Sequence, residues 1–83
     1  MKLLPFSELA GRFPGDLVLS QDGPSAPWSI GLYLDGKQLW LETARDEVRR
    51  FKTLDAVFQV LQGIATREGA QLQPTLFVNP EGE

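Results

Sequence analysis

The chain has 83 residues, which is the size of one small domain with a single hydrophobic core. Hydrophobic residues make up 42% of it and charged residues 23%, a balance typical of a globular protein rather than a disordered tail. It contains no histidine and no cysteine, which excludes a zinc finger, a thiolate nucleophile, a disulfide framework and a Ser-His-Asp triad.

Eight basic and eleven acidic residues give a net charge of -3. Residues 45–52 carry four basic and two acidic side chains, so this short basic island lies on an otherwise acidic body. No apolar run approaches the roughly 20 residues of a membrane span. Pro5 interrupts the first leucines, well short of the about 7–15 apolar residues of a secretory signal. We therefore expect a cytoplasmic protein with no membrane partner.

The first elements in the chain are a short helix and a short strand. Within residues 5–13, four apolar side chains recur at helical spacing: Phe6, Leu9, Ala10 and Phe13. Pro5 suits the start of this helix, and Pro14-Gly15 ends it. Residues 17–19 predict a short strand, and the composition of residues 20–27 predicts a loop.

Residues 28–43 predict a β-hairpin with a two-residue turn at Asp35-Gly36. If Leu34 lies opposite Lys37, side-chain alternation produces one apolar face and one mixed face. The apolar face contains the pairs Leu32–Leu39, Ile30–Leu41 and Trp28–Thr43. The mixed face contains the pairs Tyr33–Gln38, Gly31–Trp40 and Ser29–Glu42, with the indole covering the glycine backbone.

The remaining elements are a third strand, the main helix and a last strand. Residues 47–51 could form the strand, but Val48 and Phe51 cannot both point inward without a bulge, unless Phe51 already belongs to the start of the helix. A helix is predicted over residues 54–67, with Thr53 as N-cap and Gly69 as C-cap. Residues 72–78 predict a strand at the sheet edge, because Pro74 has no backbone N–H to donate to a neighbouring strand on both sides.

Together these elements predict a single α+β domain over residues 1–83, with residues 1–4 and 79–83 frayed. We expect a small two-layer fold: an antiparallel sheet of three to four strands, built on the hairpin and packed on one main helix, plus a short N-terminal helix.

The carboxylates show no metal-ligand spacing, and the glycines form no phosphate-binding loop. We therefore expect no enzyme activity, no catalytic residue, no bound metal and no cofactor.

Two groups of residues are candidates for binding, and each has a structural alternative. Tyr33 and Trp40 form an exposed protein-binding patch if nothing covers the mixed face of the hairpin. Alternatively, the N-terminal helix covers them and makes a second small core.

The second group, Arg45, Arg49, Arg50 and Lys52, could contact phosphates in a sheet-type DNA-binding module. Alternatively, its arginines pair with Asp46 and Glu47 on a solvated strand, which we favour because the body is acidic and the island is small.

One stretch resembles a known family. Trp28-x-Ile30, Asp35-Gly36, Leu39 and the run Arg50-Phe51-Lys52-Thr53-Leu54-Asp55-Ala56-Val57 look like the small ParC-type partition-associated accessory proteins of plasmids and integrative elements. The resemblance covers under half of the chain. It implies a role beside a partition ATPase and its DNA-binding partner, and it supplies no catalytic residue.

The resulting hypothesis is a small non-enzymatic accessory or adaptor protein of a bacterial mobile element that binds another protein. An unpaired strand edge also favours a homodimer. The alternatives are the DNA-binding module and an acidic inhibitor that mimics nucleic acid.

Overall fold

The computed structural model describes residues 1–78 as two helices and one four-stranded sheet, which confirms the α+β fold. The elements in chain order are α1 (Leu3–Arg12), a 3-10 turn (Pro14–Asp16), β1 (Leu17–Gln21), β2 (Trp28–Leu34), β3 (Lys37–Trp40), α2 (Leu54–Glu68) and β4 (Thr75–Val78). The strand order is β3-β2-β1-β4, so β4 lies at one edge, as Pro74 predicted.

The sheet is mixed, which corrects the expectation of an antiparallel sheet. β1, β2 and β3 pair antiparallel, whereas β4 runs parallel to β1. The reason is the helical crossover. β1 and β3 point the same way because both are antiparallel to β2, and α2 carries the chain back to the end from which they start. The strand that follows α2 therefore runs in their direction.

The hairpin has the predicted register, with Leu34 opposite Lys37 and Gly31 opposite Trp40. Asp35 and Gly36 both adopt positive φ angles, 51° and 77°, as a two-residue turn that matches strand twist requires. The pairing of Trp28 with Thr43 is wrong. Trp28 instead exchanges backbone hydrogen bonds with Phe51: its N–H donates at 2.6 Å and its carbonyl accepts at 2.9 Å.

The predicted strand over residues 47–51 is replaced by two isolated bridges, Glu42 with Val48 and Trp28 with Phe51. The chain leaves β3 and turns back on itself. The Thr43 N–H donates to the Glu47 carbonyl at 2.7 Å, and Asp46 has a φ of 65° in that turn. The spacing conflict between Val48 and Phe51 is resolved because they point to opposite sides. Phe51 is buried in the core, whereas Val48 lies beside Trp40 on the other face.

α2 has the predicted caps. The Ala56 N–H donates to the Thr53 hydroxyl at 3.2 Å, and Gly69 adopts the left-handed conformation with a φ of 63°. Residues 1–4 are predicted to be frayed; in the structure α1 begins at Leu3. In addition, the Met1 amine donates to the Trp40 carbonyl at 3.0 Å. The predicted tail over residues 79–83 lies outside the described residues.

Both described helices pack on the same face of the sheet. One core joins them to the aliphatic side of the strands, and its fully buried members include Phe6, Ala10, Leu19, Ile30, Leu32, Leu41 and Val57. The helices also touch each other. A Cβ atom on Gly11 would lie only 2.7 Å from the Cβ of Glu68, and the Ser7 hydroxyl donates to the Glu68 carboxylate at 3.1 Å. Neither helix in this part of the chain is long and apolar enough to cross a bilayer.

Candidate functional site

The face of the sheet opposite the helices is the candidate site, and we call it the open face. Strand register places nine residues on it: Val18, Ser20, Ser29, Gly31, Tyr33, Gln38, Trp40, Thr75 and Phe77. Because side chains alternate along each strand, these residues point away from the aliphatic core. Phe6 and Ala10 of α1 belong to that core, so α1 does not form a second core over the open face.

Tyr33 and Trp40 lie on this face in different environments. Tyr33 is 54% exposed, whereas Trp40 is half-buried. The six-membered ring of Trp40 covers Gly31, since its Cε3 lies 3.1 Å from where a Cβ atom on Gly31 would be. The predicted packing of indole against glycine is therefore present. It makes Trp40 partly structural and leaves Tyr33 as the more accessible aromatic side chain.

A third aromatic residue, Phe77 of β4, also lies on the open face and is 62% exposed. Phe77 is not among the residues predicted for the site, although alternation along the predicted strand already puts it on the opposite face from Leu76 and Val78. The four residues of β4 are all exposed, so this edge strand presents apolar side chains on both faces of the sheet.

Arg50 reaches over the open face from the segment that follows β3. Its guanidinium donates to the hydroxyl of the buried Ser29 at 3.3 Å. Beside this contact is a pocket of about 200 Å³, whose lining residues include Asp22, Trp40 and Val48. The open face therefore combines exposed aromatic surface with one arginine, which is a composition enriched at protein interfaces.

The four residues of the basic island do not form one surface. Arg50 lies on the open face, whereas Arg49 lies on the helical side, with its guanidinium carbon 5.2 Å from the centre of the Phe51 ring. Strand-like alternation explains this separation of adjacent arginines. Arg45 is exposed in the turn after β3, and Lys52 is exposed just before α2.

The expected pairing of the arginines with Asp46 and Glu47 is absent within residues 1–78. Asp46 pairs with Lys2 instead. The hydrogen bond and positive charge of Lys2 lower the pKa of the Asp46 carboxyl below its ordinary value of 3.8. The only other ion pair in the described part of the chain joins the Met1 amine to Glu42 at 2.7 Å. Arg45, Arg49 and Arg50 therefore have no carboxylate partner within residues 1–78.

The described residues contain no group of three or more acidic side chains that could hold a metal ion. Comparisons with known proteins add no identity: no family model, no curated protein and no solved structure matches the chain.

Proposed function

We propose that this chain is a small non-enzymatic accessory protein that acts by binding another protein through the open face. The observation that supports the proposal is that α1 and α2 share the opposite face. They leave Tyr33 and Phe77 more than half exposed at two ends of one surface. Exposed aromatic side chains contribute strongly to association, because burying them removes a large apolar area from water.

The chemistry of this face favours a particular kind of partner. Its aromatic and small side chains suit an apolar surface. Arg50, which has no carboxylate partner within residues 1–78, favours a carboxylate at the edge of that surface, since an arginine fork binds a carboxylate through two parallel hydrogen bonds. The resemblance of residues 28–57 to partition-associated proteins supplies the proposed setting, a plasmid or integrative element in the bacterial cytoplasm. In that setting the partner belongs to the partition machinery.

A second copy of the chain is the simplest partner to test. β4 has a strand partner on one side only among residues 1–78, and a free edge can pair with the same edge of another copy. Sedimentation velocity over a wide range of protein concentration measures this directly. A dimer that Leu76→Lys converts to a monomer supports pairing at β4. A monomer at every concentration excludes the second copy and leaves a different protein as the partner.

The DNA-binding alternative has less support, because Arg49 and Arg50 lie on opposite sides of the sheet and cannot both face one duplex from the same surface. Binding of duplex DNA that weakens steeply with salt, and weakens further in the Arg50→Gln variant, would favour that alternative. The acidic-inhibitor alternative predicts a partner that itself binds nucleic acid. In that case this chain and DNA should compete for binding to the partner.

The main experiment compares single serine variants of exposed aromatic residues. The wild-type chain first captures its partner from a lysate of its natural host, and the affinity of the purified partner is then measured for each variant. Because open-face aromatic residues would be buried on binding, we expect Tyr33→Ser and Phe77→Ser each to weaken the affinity by about tenfold or more.

Matched controls come from the helical side of the molecule. Phe13 and Phe58 are 42% and 46% exposed, and neither belongs to the buried core. Phe13→Ser and Phe58→Ser should leave the affinity unchanged. If these two variants weaken binding while Tyr33→Ser and Phe77→Ser do not, the proposed surface is wrong.

A further inference from the structure

A second cavity lies in the helical layer, between α1 and α2, where it has no part in the proposed protein-binding face. Its volume is about 280 Å³. Apolar side chains form much of its wall: Leu3 from α1, and Val60 and Ile64 from α2. The volume lies just below the range of about 300–1,000 Å³ that holds drug-sized ligands, so the cavity suits a smaller molecule.

Gly63 keeps one side of this cavity open. It lies in the middle of α2 and lines the cavity, and a Cβ atom placed on it would have no atom within 4 Å apart from its chain neighbours and the nearby backbone of α2. A glycine inside a helix lowers its stability by about 1 kcal/mol relative to alanine, so helix formation does not account for the residue. A larger side chain at this position would extend into the cavity and reduce its volume.

Two arginines line the same cavity, Arg49 from the segment after β3 and Arg67 from the last turn of α2. Neither forms an ion pair with a carboxylate within residues 1–78. Within the described part of the chain, none of the residues that line the cavity is acidic. The hydroxyl of Ser7, which does line it, donates a hydrogen bond to the Glu68 carboxylate at 3.1 Å. The two guanidinium groups therefore leave the lining net positive.

We propose that this cavity binds a small organic monocarboxylate with a short apolar tail. The tail would lie against Leu3, Val60 and Ile64, and the carboxylate would accept hydrogen bonds from Arg49, Arg67 or both. Guanidinium groups match the planar geometry of a carboxylate, and an apolar wall beside them strengthens the interaction by excluding water. The proposal does not depend on the proposed function, because it uses none of the open-face residues.

The test is a titration of the ¹⁵N-labelled protein with three probes of equal tail length: hexanoate, hexan-1-ol and hexylamine. Hexanoate should bind saturably and shift the amide resonances of Gly63 and Ile64. Hexan-1-ol should bind about tenfold more weakly or worse because it lacks the charge, and hexylamine should not bind. Equal binding of all three probes, or no saturable binding of hexanoate, would overturn the proposal.

Variants locate the binding within the cavity. Arg67→Gln should weaken hexanoate binding by about tenfold, and Gly63→Leu should abolish it by filling the space. Both changes should leave the fold intact, since Arg67 is exposed and Gly63 faces open space. Arg12→Gln is the matched control, because Arg12 is an exposed arginine on α1 that does not line the cavity. Equal weakening in this control, or unchanged binding in Gly63→Leu, would show that hexanoate binds elsewhere.

Discussion

Alanine at Gly11 and alanine at Gly63 should change stability in opposite directions, although both residues lie in helices. Each replacement gains about 0.5–1 kcal/mol of helix stability, because glycine has more conformational freedom to lose on folding. At Gly63 nothing opposes the gain, since the new methyl group has no atom within 4 Å apart from its chain neighbours and the nearby backbone of α2. We expect the free energy of unfolding to rise by about 0.5–1 kcal/mol, which for a domain of this size raises Tm by about 2–8 °C.

At Gly11 the new Cβ would lie 2.7 Å from the Cβ and 2.9 Å from the Cγ of Glu68. Carbon atoms in good contact are about 3.5–4.0 Å apart, so the overlap is close to 1 Å. The Cβ of Glu68 is bonded to the backbone of α2, and rotation of the side chain cannot move it away. The helices must therefore separate, at a cost of about 1–3 kcal/mol from overpacking. This exceeds the helix gain, and we expect Gly11→Ala to lower stability by up to about 2 kcal/mol.

Urea denaturation followed by tryptophan fluorescence measures both effects. The cause can be isolated by repeating Gly11→Ala in two backgrounds, Glu68→Ala and Glu68→Gly. Both remove the hydrogen bond from Ser7, but only Glu68→Gly removes the Cβ atom. The penalty of Gly11→Ala should remain in the first background and largely vanish in the second. If Gly11→Ala is as stabilising as Gly63→Ala, α1 and α2 do not approach each other closely at Gly11 and Glu68.

Two further predictions concern the start of α2 and the turn after β3. Thr53→Ala should lower the free energy of unfolding by about 1 kcal/mol, because the Ala56 N–H loses its acceptor. Thr53→Ser should retain most of the stability in the same urea measurement, and an equal loss in both variants would contradict the capping role. The Lys2–Asp46 pair should add a small, pH-dependent stability, since both groups are exposed. The pKa of Asp46 is lowered in the fold, so its contribution is present above its ordinary pKa of 3.8 and disappears as the pH falls through the lower folded value. Asp46→Asn should therefore be less stable than wild type at neutral pH and equal to it in strong acid, whereas a difference that persists in acid would exclude this ionisation as the cause.

The hairpin and α2 could be predicted closely because short-range chemistry determines them. The turn at Asp35-Gly36 needs two positive φ angles, which aspartate tolerates and glycine adopts freely, and this turn sets the register of both strands. In α2 the apolar spacing, the Thr53 cap and Gly69 indicate the same helix, and its observed end at Glu68 is one residue beyond the predicted one. Each of these features depends on residues that are neighbours along the chain.

The candidate site was predicted only in part. Tyr33 and Trp40 could be placed on one face from the register alone, but their exposure depended on where α1 packs. The sequence pattern of α1 is compatible with either face of the sheet, because its apolar side chains would be buried in both arrangements. Phe77 joined the site only because β4 lies beside β1.

The sequence alone established the types of the main elements, the register of the hairpin and the missing histidine and cysteine side chains, since these depend on composition or on contacts a few residues apart. It could not establish that both helices share one face, that β4 returns parallel to β1, or that Arg49 and Arg50 face opposite sides. These features arise from packing between elements far apart in the chain, where the burial of the whole core selects among arrangements that are locally equivalent.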